Sequence, residues 1–156
     1  MTDFTTGAGA TISLASAAPA TFDAAGYAAL TYTPVGKVTN FGDVPSRTYQ
    51  EVVVMYLASE GEDVAKGGYS LGSQVITVAL DNSDAGQTLL DTATNSKSAY
   101  SIKLAHPVLG TIYARALIMG GPKTYGDNNT AATQQVTLRY KMANATTDGI
   151  VKVPAA

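Results

Sequence analysis

From Gln134 to Met142 the side chains alternate, with Val136, Leu138, Tyr140 and Met142 on one parity and Gln135, Thr137, Arg139 and Lys141 on the other. Successive side chains of extended backbone point to opposite faces, so a period of two marks a strand with one face buried and one wet. A half-buried strand needs partners of the same kind. The chain supplies them in Val52-Val53-Val54-Met55-Tyr56-Leu57, in Val75 to Leu80, in Ala99 to His106 and in Thr111 to Met119. Turn-forming stretches punctuate these runs: Asn40 to Ser46, Pro107 to Gly110, and Gly120-Gly121-Pro122.

Helical signal is sparse. Asp84 is placed to cap a helix with Gln87 three residues later, and Ala85, Leu89, Leu90 and Ala93 then share one face. Tyr27 to Asn40 reads as a strand with a bend at Pro34-Val35-Gly36, because Pro removes a ladder donor. Ser59 to Gly68 is polar, with Glu60, Glu62 and Asp63 against Lys66, and reads as a long charged hairpin loop at about 58–68. Residues 1–25, rich in Ala, Thr, Gly and Ser, read as an extended arm before a single domain spanning 26–156. Gly149 to Ala156 fits either a short added strand or a loose tail. The expectation is a mainly β fold, a sandwich or open barrel of about six or seven strands with one flanking α-helix.

Composition removes several classes of function. The 156 residues suit one core, and the absence of Cys leaves packing and association to stabilise it. A formal charge of −2 lacks the basic footprint of a protein that grips phosphates. Nine Tyr, three Phe and no Trp suit strand faces and half-wet contacts. No apolar run approaches the roughly 20 residues that span a bilayer, and no basic stretch precedes an apolar one as in a secretion signal. Without a secretory route, the sequons at Asn128 and Asn144 are read as chance.

Motifs that could carry chemistry fail on context. Gly68-Tyr69-Ser70-Leu71-Gly72 matches a nucleophile elbow, with Asp81, Asp84, Asp91 and His106 in hydrolase order behind it. The elbow needs a buried strand before the Ser and a helix after it, whereas here a charged stretch precedes and a β-run follows. His106 is the only imidazole and reads as a hydrogen-bonded structural residue. Gly7-Ala8-Gly9-Ala10-Thr11-Ile12 lacks the third Gly of a dinucleotide loop, and Asp81, Ser83 and Asp84 lack the spacing of a calcium loop. No catalytic, cofactor-binding or metal-binding residue is assigned, and no cofactor is expected.

Three blocks carry a family resemblance: Ser16 to Asn40, S-A-A-P-A-T-F-D-A-A-G-Y-A-A-L-T-Y-T-P-V-G-K-V-T-N; Gly67 to Leu80, G-G-Y-S-L-G-S-Q-V-I-T-V-A-L; and Asp81 to Leu90, D-N-S-D-A-G-Q-T-L-L. They resemble the tail tube proteins of phages with long non-contractile tails. The resemblance implies a structural virion protein, assembled in the host cytoplasm, whose hexameric rings stack into a hollow tube that conducts double-stranded DNA without binding it specifically. It also implies a tape measure protein, a tail tip and a tail terminator as partners, and no membrane. Contacts between rings are expected from the arm, Phe4 to Phe22, and from the loop residues Glu60, Glu62, Asp63 and Lys66. Glu51, Gln74 and Thr77 are expected to face the lumen, and a net negative wall would repel DNA. Arg139 and Lys141, on one face of the last strand, complicate such a wall. The alternatives are a tube protein of a contractile tail or secretion-type injection system, and a ligand-binding β-sandwich module, which would persist as a monomer.

Overall fold

In the computed structural model, which describes residues 4–155, the apolar residues of the β-runs turn to one side. Ile12 and Leu14 do so on β1 (Thr11–Ala15), Ile76 and Val78 on β6 (Ser73–Ala79), and Ile102 and Leu104 on β7 (Tyr100–His106). Ala114, Ala116 and Ile118 follow on β8 (Gly110–Gly120), with Val136, Leu138 and Tyr140 on β10 (Thr133–Tyr140). All are buried in one cluster with Leu90 and Ala93 of α2 (Ala85–Thr94). Each Leu or Ile removed from water in this way contributes about 1.5–3 kcal/mol.

The strands form one antiparallel sheet in the order β2 (Thr33–Pro34), β1, β7, β8, β10, β6, β3 (Val38–Asn40). β9 (Lys123–Thr124) pairs with the start of β10, and β11 (Val151–Val153) with the first half of β8. The sheet curls into a half-barrel. A register shift between Thr137 and Leu138 assists the curl, because a bulge sharpens local twist. β4 (Thr48–Met55) and β5 (Glu62–Ser70) stand apart as a separate two-stranded sheet. No helix among the described residues is long and apolar enough to cross a membrane.

The outer face of β7 and β8 has its own cover. Tyr27 of α1 (Ala24–Ala28) stacks on Tyr113 with centroids 5.4 Å apart, and its hydroxyl donates to the Gly149 carbonyl at 2.8 Å. Burial pushes the Tyr27 phenol up to about 12. Arg115 donates to Ser101 Oγ at 2.8 Å and to the carbonyls of Ala17 and Ala99, which ties the segment before α1 onto the sheet. The Asp23 carboxylate caps α1 by accepting from the Gly26 N–H at 2.7 Å. Any Cβ at Gly26 would sit 2.0 Å from the Thr21 carbonyl, so Gly is required there.

Several expectations are corrected here. The extended arm expected over 1–25 contains a core strand: among its described residues, from Phe4 on, β1 lies between β2 and β7 with Ile12 and Leu14 fully buried. Two inward side chains in five residues were too short a pattern to stand out from the Ala- and Thr-rich background. Tyr27 to Asn40 is not one strand but the end of α1, β2, a bend and β3. A second helix, α1, is present, too short at five residues to show periodicity. The buried face of α2 is Gly86, Gln87, Leu90 and Ala93, with Leu89 half-buried and Ala85 exposed. Most of the expected loop at 58–68 is strand, because β5 begins at Glu62. At the C-terminus the short added strand is the alternative realised.

The bend Pro34-Val35-Gly36-Lys37 is locked to the start of α2. One Asp84 oxygen accepts from the N–H groups of both Gln87 (2.9 Å) and Gly36 (3.1 Å). The Gln87 amide donates to the carbonyls of Gly36 (3.2 Å) and Ala79 (2.8 Å) and accepts from the Asp81 N–H (3.0 Å). Lys37, at φ 60°, places its ammonium 3.1 Å from Asp81. Hydrogen bonds from Ser83 together with Lys37 hold the Asp81 carboxyl down at about 2. At Gly86 the two backbones meet: a Cβ would lie 2.1 Å from the Pro34 carbonyl oxygen. Gly86→Ala therefore forces backbone apart and is expected to cost about 1–3 kcal/mol, while Asp84→Ala loses the cap and costs about 1 kcal/mol. Urea unfolding measures both, and a Gly86→Ala midpoint equal to that of the parent would show the joint to be slack.

Candidate functional site

The β4–β5 hairpin is built from the most β-favouring run in the chain, yet it buries almost none of it. All eight residues of β4 are exposed, as are Tyr56 and Leu57 beyond it, with Leu57 wholly in solvent at 109%. Cross-strand pairing sets the two faces. One carries Tyr49 opposite Tyr69, Glu51 opposite Lys66, Val53 opposite Val64 and Met55 opposite Glu62; the other carries Val52 opposite Ala65 and Val54 opposite Asp63. Both faces therefore expose apolar β4 side chains, with Asp63 and Glu62 of β5 set opposite them toward the tip. A two-stranded hairpin alone is marginal in water, and a contiguous apolar patch of this kind marks an interaction surface. The outer edges of β4 and β5 are the longest unpaired edges among the described strands, since the terminal strands of the main sheet, β2 and β3, have only two and three residues.

Among the described residues the hairpin is anchored at its root. Tyr49 and Tyr69 pack with centroids 5.3 Å apart, the Lys66 ammonium sits 4.9 Å over the Tyr49 ring, and Arg47 sits 5.5 Å over the Tyr69 ring. Arg47 also pairs through Nε with Asp148, whose side chain is buried beneath it. Burial opposes the charge of Asp148, but the Arg47 guanidinium and the Ile150 N–H prevail and hold its carboxyl below the usual range. A tilted aromatic pair with an ion pair beside it fixes the base and leaves the shaft standing clear.

The residues singled out from the sequence fall in different places. Glu60, Glu62, Asp63 and Lys66 belong to this hairpin, Glu60 at its turn and the others on β5. Phe4 is 81% exposed, whereas Phe22 leans on the Tyr27 ring at 6.3 Å and is half-buried. Glu51 is exposed on β4, facing Lys66 across the ladder. Thr77 lies on the outer face of β6, opposite Gln135. Gln74 is corrected: it is fully buried, donates to the Phe41 carbonyl at 2.6 Å and accepts from the Tyr140 hydroxyl, so it lines no lumen. A polar residue in a β-run was read as wet, but its even-numbered position puts it on the core side, where the buried Tyr140 hydroxyl supplies its partner. Missed from the sequence were Arg47 and Asp148, whose pairing joins positions with no sequence signal linking them.

The hydrolase motif is absorbed by structure. Ser70 ends β5 and its Oγ accepts from the Gly72 N–H at 3.3 Å. His106 Nε2 contacts the Thr6 carbonyl at 2.7 Å while Nδ1 accepts from the N–H groups of Val108 and Leu109, which places the proton on Nε2. Among the described residues no group of three or more His, Asp or Glu is arranged to hold a metal.

The ladder of the hairpin is open to water, so in the free subunit its amides are expected to exchange at least about a hundredfold faster than those of β7 and β8. Asp148, with its depressed value, steadies the root at neutral pH, and that contribution is lost as pH falls below about 4, the ordinary carboxylate range, through its folded value. Hydrogen exchange and the Arg47 Nε–H resonance followed from pH 7 to pH 3 would read both effects. Equal protection across hairpin and core would mean that the hairpin is held by more than its root.

No protein-family model and no curated protein matches the chain. A solved structure does: the tail of an empty gene transfer agent particle, computed with helical refinement and C6 symmetry, is similar over 78% of this chain and 86% of its own, at 13% identity and a TM-score of 0.59. The curled β half-barrel with its flanking helices is thus a fold shared with that tail, as the motif resemblance implied for the fold.

Proposed function

We propose that this chain is a tail tube subunit: a structural protein, not an enzyme, whose copies assemble into hexameric rings that stack into a hollow tube for DNA. The observation that carries the reading is the β4–β5 hairpin, which exposes apolar side chains on both faces with nothing packed against them, on a fold shared with the C6 tail. A subunit that exposes such an element is incomplete until another copy covers it. A contact between unlike surfaces of identical chains propagates as a filament unless it closes. Sixfold closure within a ring together with propagation between rings yields a tube.

Glu60, Glu62, Asp63 and Lys66 on the hairpin, with Phe4, form the contacts between rings in this reading; Phe22 supports them from behind through Tyr27. Glu51 and Thr77 face the lumen. Thr77 shares the outer face of β6 and β10 with Ser73, Val75, Gln135, Thr137 and Arg139, so a wall that includes it is mainly polar, with one exposed Val and one positive charge. Low friction for DNA then comes from sparse, hydrated charge rather than from a uniformly acidic surface. Tape measure, tip and terminator proteins would bound the tube, and the virion is its destination. A non-contractile tail is favoured over a contractile one by the three sequence blocks.

Electron microscopy of the concentrated protein is expected to show stacked rings with a central channel. Replacing 50–67 by a two-residue turn should leave a folded monomer that no longer assembles, because the body retains its core. Truncation from the N-terminus must stop before Gly7, since removing β1 would open the core. Tubes formed by the hairpin-less protein would refute the assignment.

A further inference from the structure

The tip of the hairpin has a matching receptor on the body. At one rim of the half-barrel, the loop after β3 and the turn between β7 and β8 enclose an apolar cleft of about 200 Å³. Phe41, Val44, Leu104, Leu109 and Ile112 line it, with His106 at its edge. His106 turns its nitrogens away to Thr6 and to the 108–109 backbone, so the cleft presents carbon. An apolar cavity of about 150 Å³ holds a benzene ring, which makes this one roomy enough for a branched aliphatic side chain. Beside it, past Val44, runs a groove lined by Pro45, Ser46, Arg47, Asp148, Ile150 and Lys152. Arg47 is engaged by Asp148, which leaves Lys152 to set the sign of that groove.

Resting on the tube reading, we infer that the hairpin tip of a second copy seats here, with Leu57 in the cleft and the acidic residues of the tip over the basic groove. Shape and charge agree: Leu57 stands wholly in solvent at the end of an apolar shaft, and Glu60 and Glu62 flank it on the return side. The cleft lies against the root of the same subunit's own hairpin, since Val44 and Arg47 are three residues apart just before β4. Each copy therefore carries a donor tip and an acceptor cleft at opposite ends of one element. A copy seated in this way offers its own tip to the next, which is the geometry of an open-ended chain. Phe4 is the rival occupant, because Gly7 and Ala10 of its own segment border the cleft, but it remains exposed in the structure.

The chain has no Cys, so single thiols report cleanly. Leu57→Cys and Leu109→Cys, both at exposed positions, are prepared separately, mixed, allowed to assemble and treated with a short bismaleimide. A 57–109 dimer, identified by peptide mapping, can arise only between copies and is the expected product. Ser98→Cys mixed with Leu57→Cys gives the background yield at an exposed site outside the cleft. Tubes without 57–109 crosslinks above that background, or with 57–57 crosslinks instead, would overturn the docking while leaving the tube reading intact. Parent protein that forms no tubes under the same conditions overturns both; where only the cysteine mixture fails, Leu57→Met, which keeps the bulk of the seated side chain, is expected to assemble, and its failure overturns the docking. As a second reading, Lys152→Glu is expected to raise the critical concentration about two- to fivefold, and Glu60→Lys with Glu62→Lys in the same chain should restore it. No change with Lys152→Glu would refute the charge contact.

Discussion

The fold depends on the joint where the Pro34–Lys37 bend crosses the N-terminus of α2. Asp84 and Gln87 between them satisfy N–H and carbonyl groups of the bend, of the end of β6 and of the first helical turn. Without these partners the crossing would bury unpaired backbone groups, at a cost of about 1–3 kcal/mol each. The joint also sets where everything downstream can go. β2 and β3, on either side of the bend, close opposite ends of the sheet path, so the bend carries the chain from one side of the half-barrel to the other across the mouth that α2 fills. Gly86 lets the helix come close enough for Leu90 and Ala93 to reach the core.

The same joint explains why the sequence was legible where it was. The blocks Ser16 to Asn40 and Asp81 to Leu90, distant in the chain, are the two halves of one contact, and their side chains are constrained by backbone geometry rather than by exposure. Asp84 as a cap was readable because a capping carboxylate acts three residues ahead on its own helix. Its second bond, to Gly36, was not, since nothing local marks a partner 48 positions away. The strands β6, β7, β8 and β10 were readable because one face of each is core. β1 was not, because the polar and small residues around Ile12 and Leu14 suited an arm equally well. β5 was misread for the opposite reason: Glu62, Asp63 and Lys66 lie on a strand with no buried face, so alternation, the signal of a strand, had nothing to alternate against.

That last failure bears on function. Patterning by burial works when the burying surface belongs to the same chain; where it belongs to another copy, the pattern on one molecule is incomplete. Val52, Val53 and Val54 are consecutive, so they occupy both faces of the hairpin, and this subunit covers neither. A run of this kind inside a monomeric protein is an aggregation hazard. In an assembling subunit it is useful, provided the contact is directed. In the proposed assembly the Arg47–Asp148 pair and the tilted Tyr49–Tyr69 pair would direct it by holding the root while the shaft stays free, which would limit the angles at which the tip meets a neighbour.

In the proposed assembly, charge would then decide which of the available contacts is made. An apolar shaft by itself would pair with any similar shaft, including its own copy head to head, and such a symmetric contact closes on itself and ends growth. Glu60, Glu62 and Asp63 place like charges against one another in that arrangement, and like charges brought face to face in an interface are costly. The acidic tip thus discourages tip-to-tip pairing while leaving a contact with an uncharged or basic surface favourable. In the docking we propose, polarity of assembly would follow from a single asymmetry: the element that offers apolar surface carries negative charge at its end, and the surface that would receive it does not.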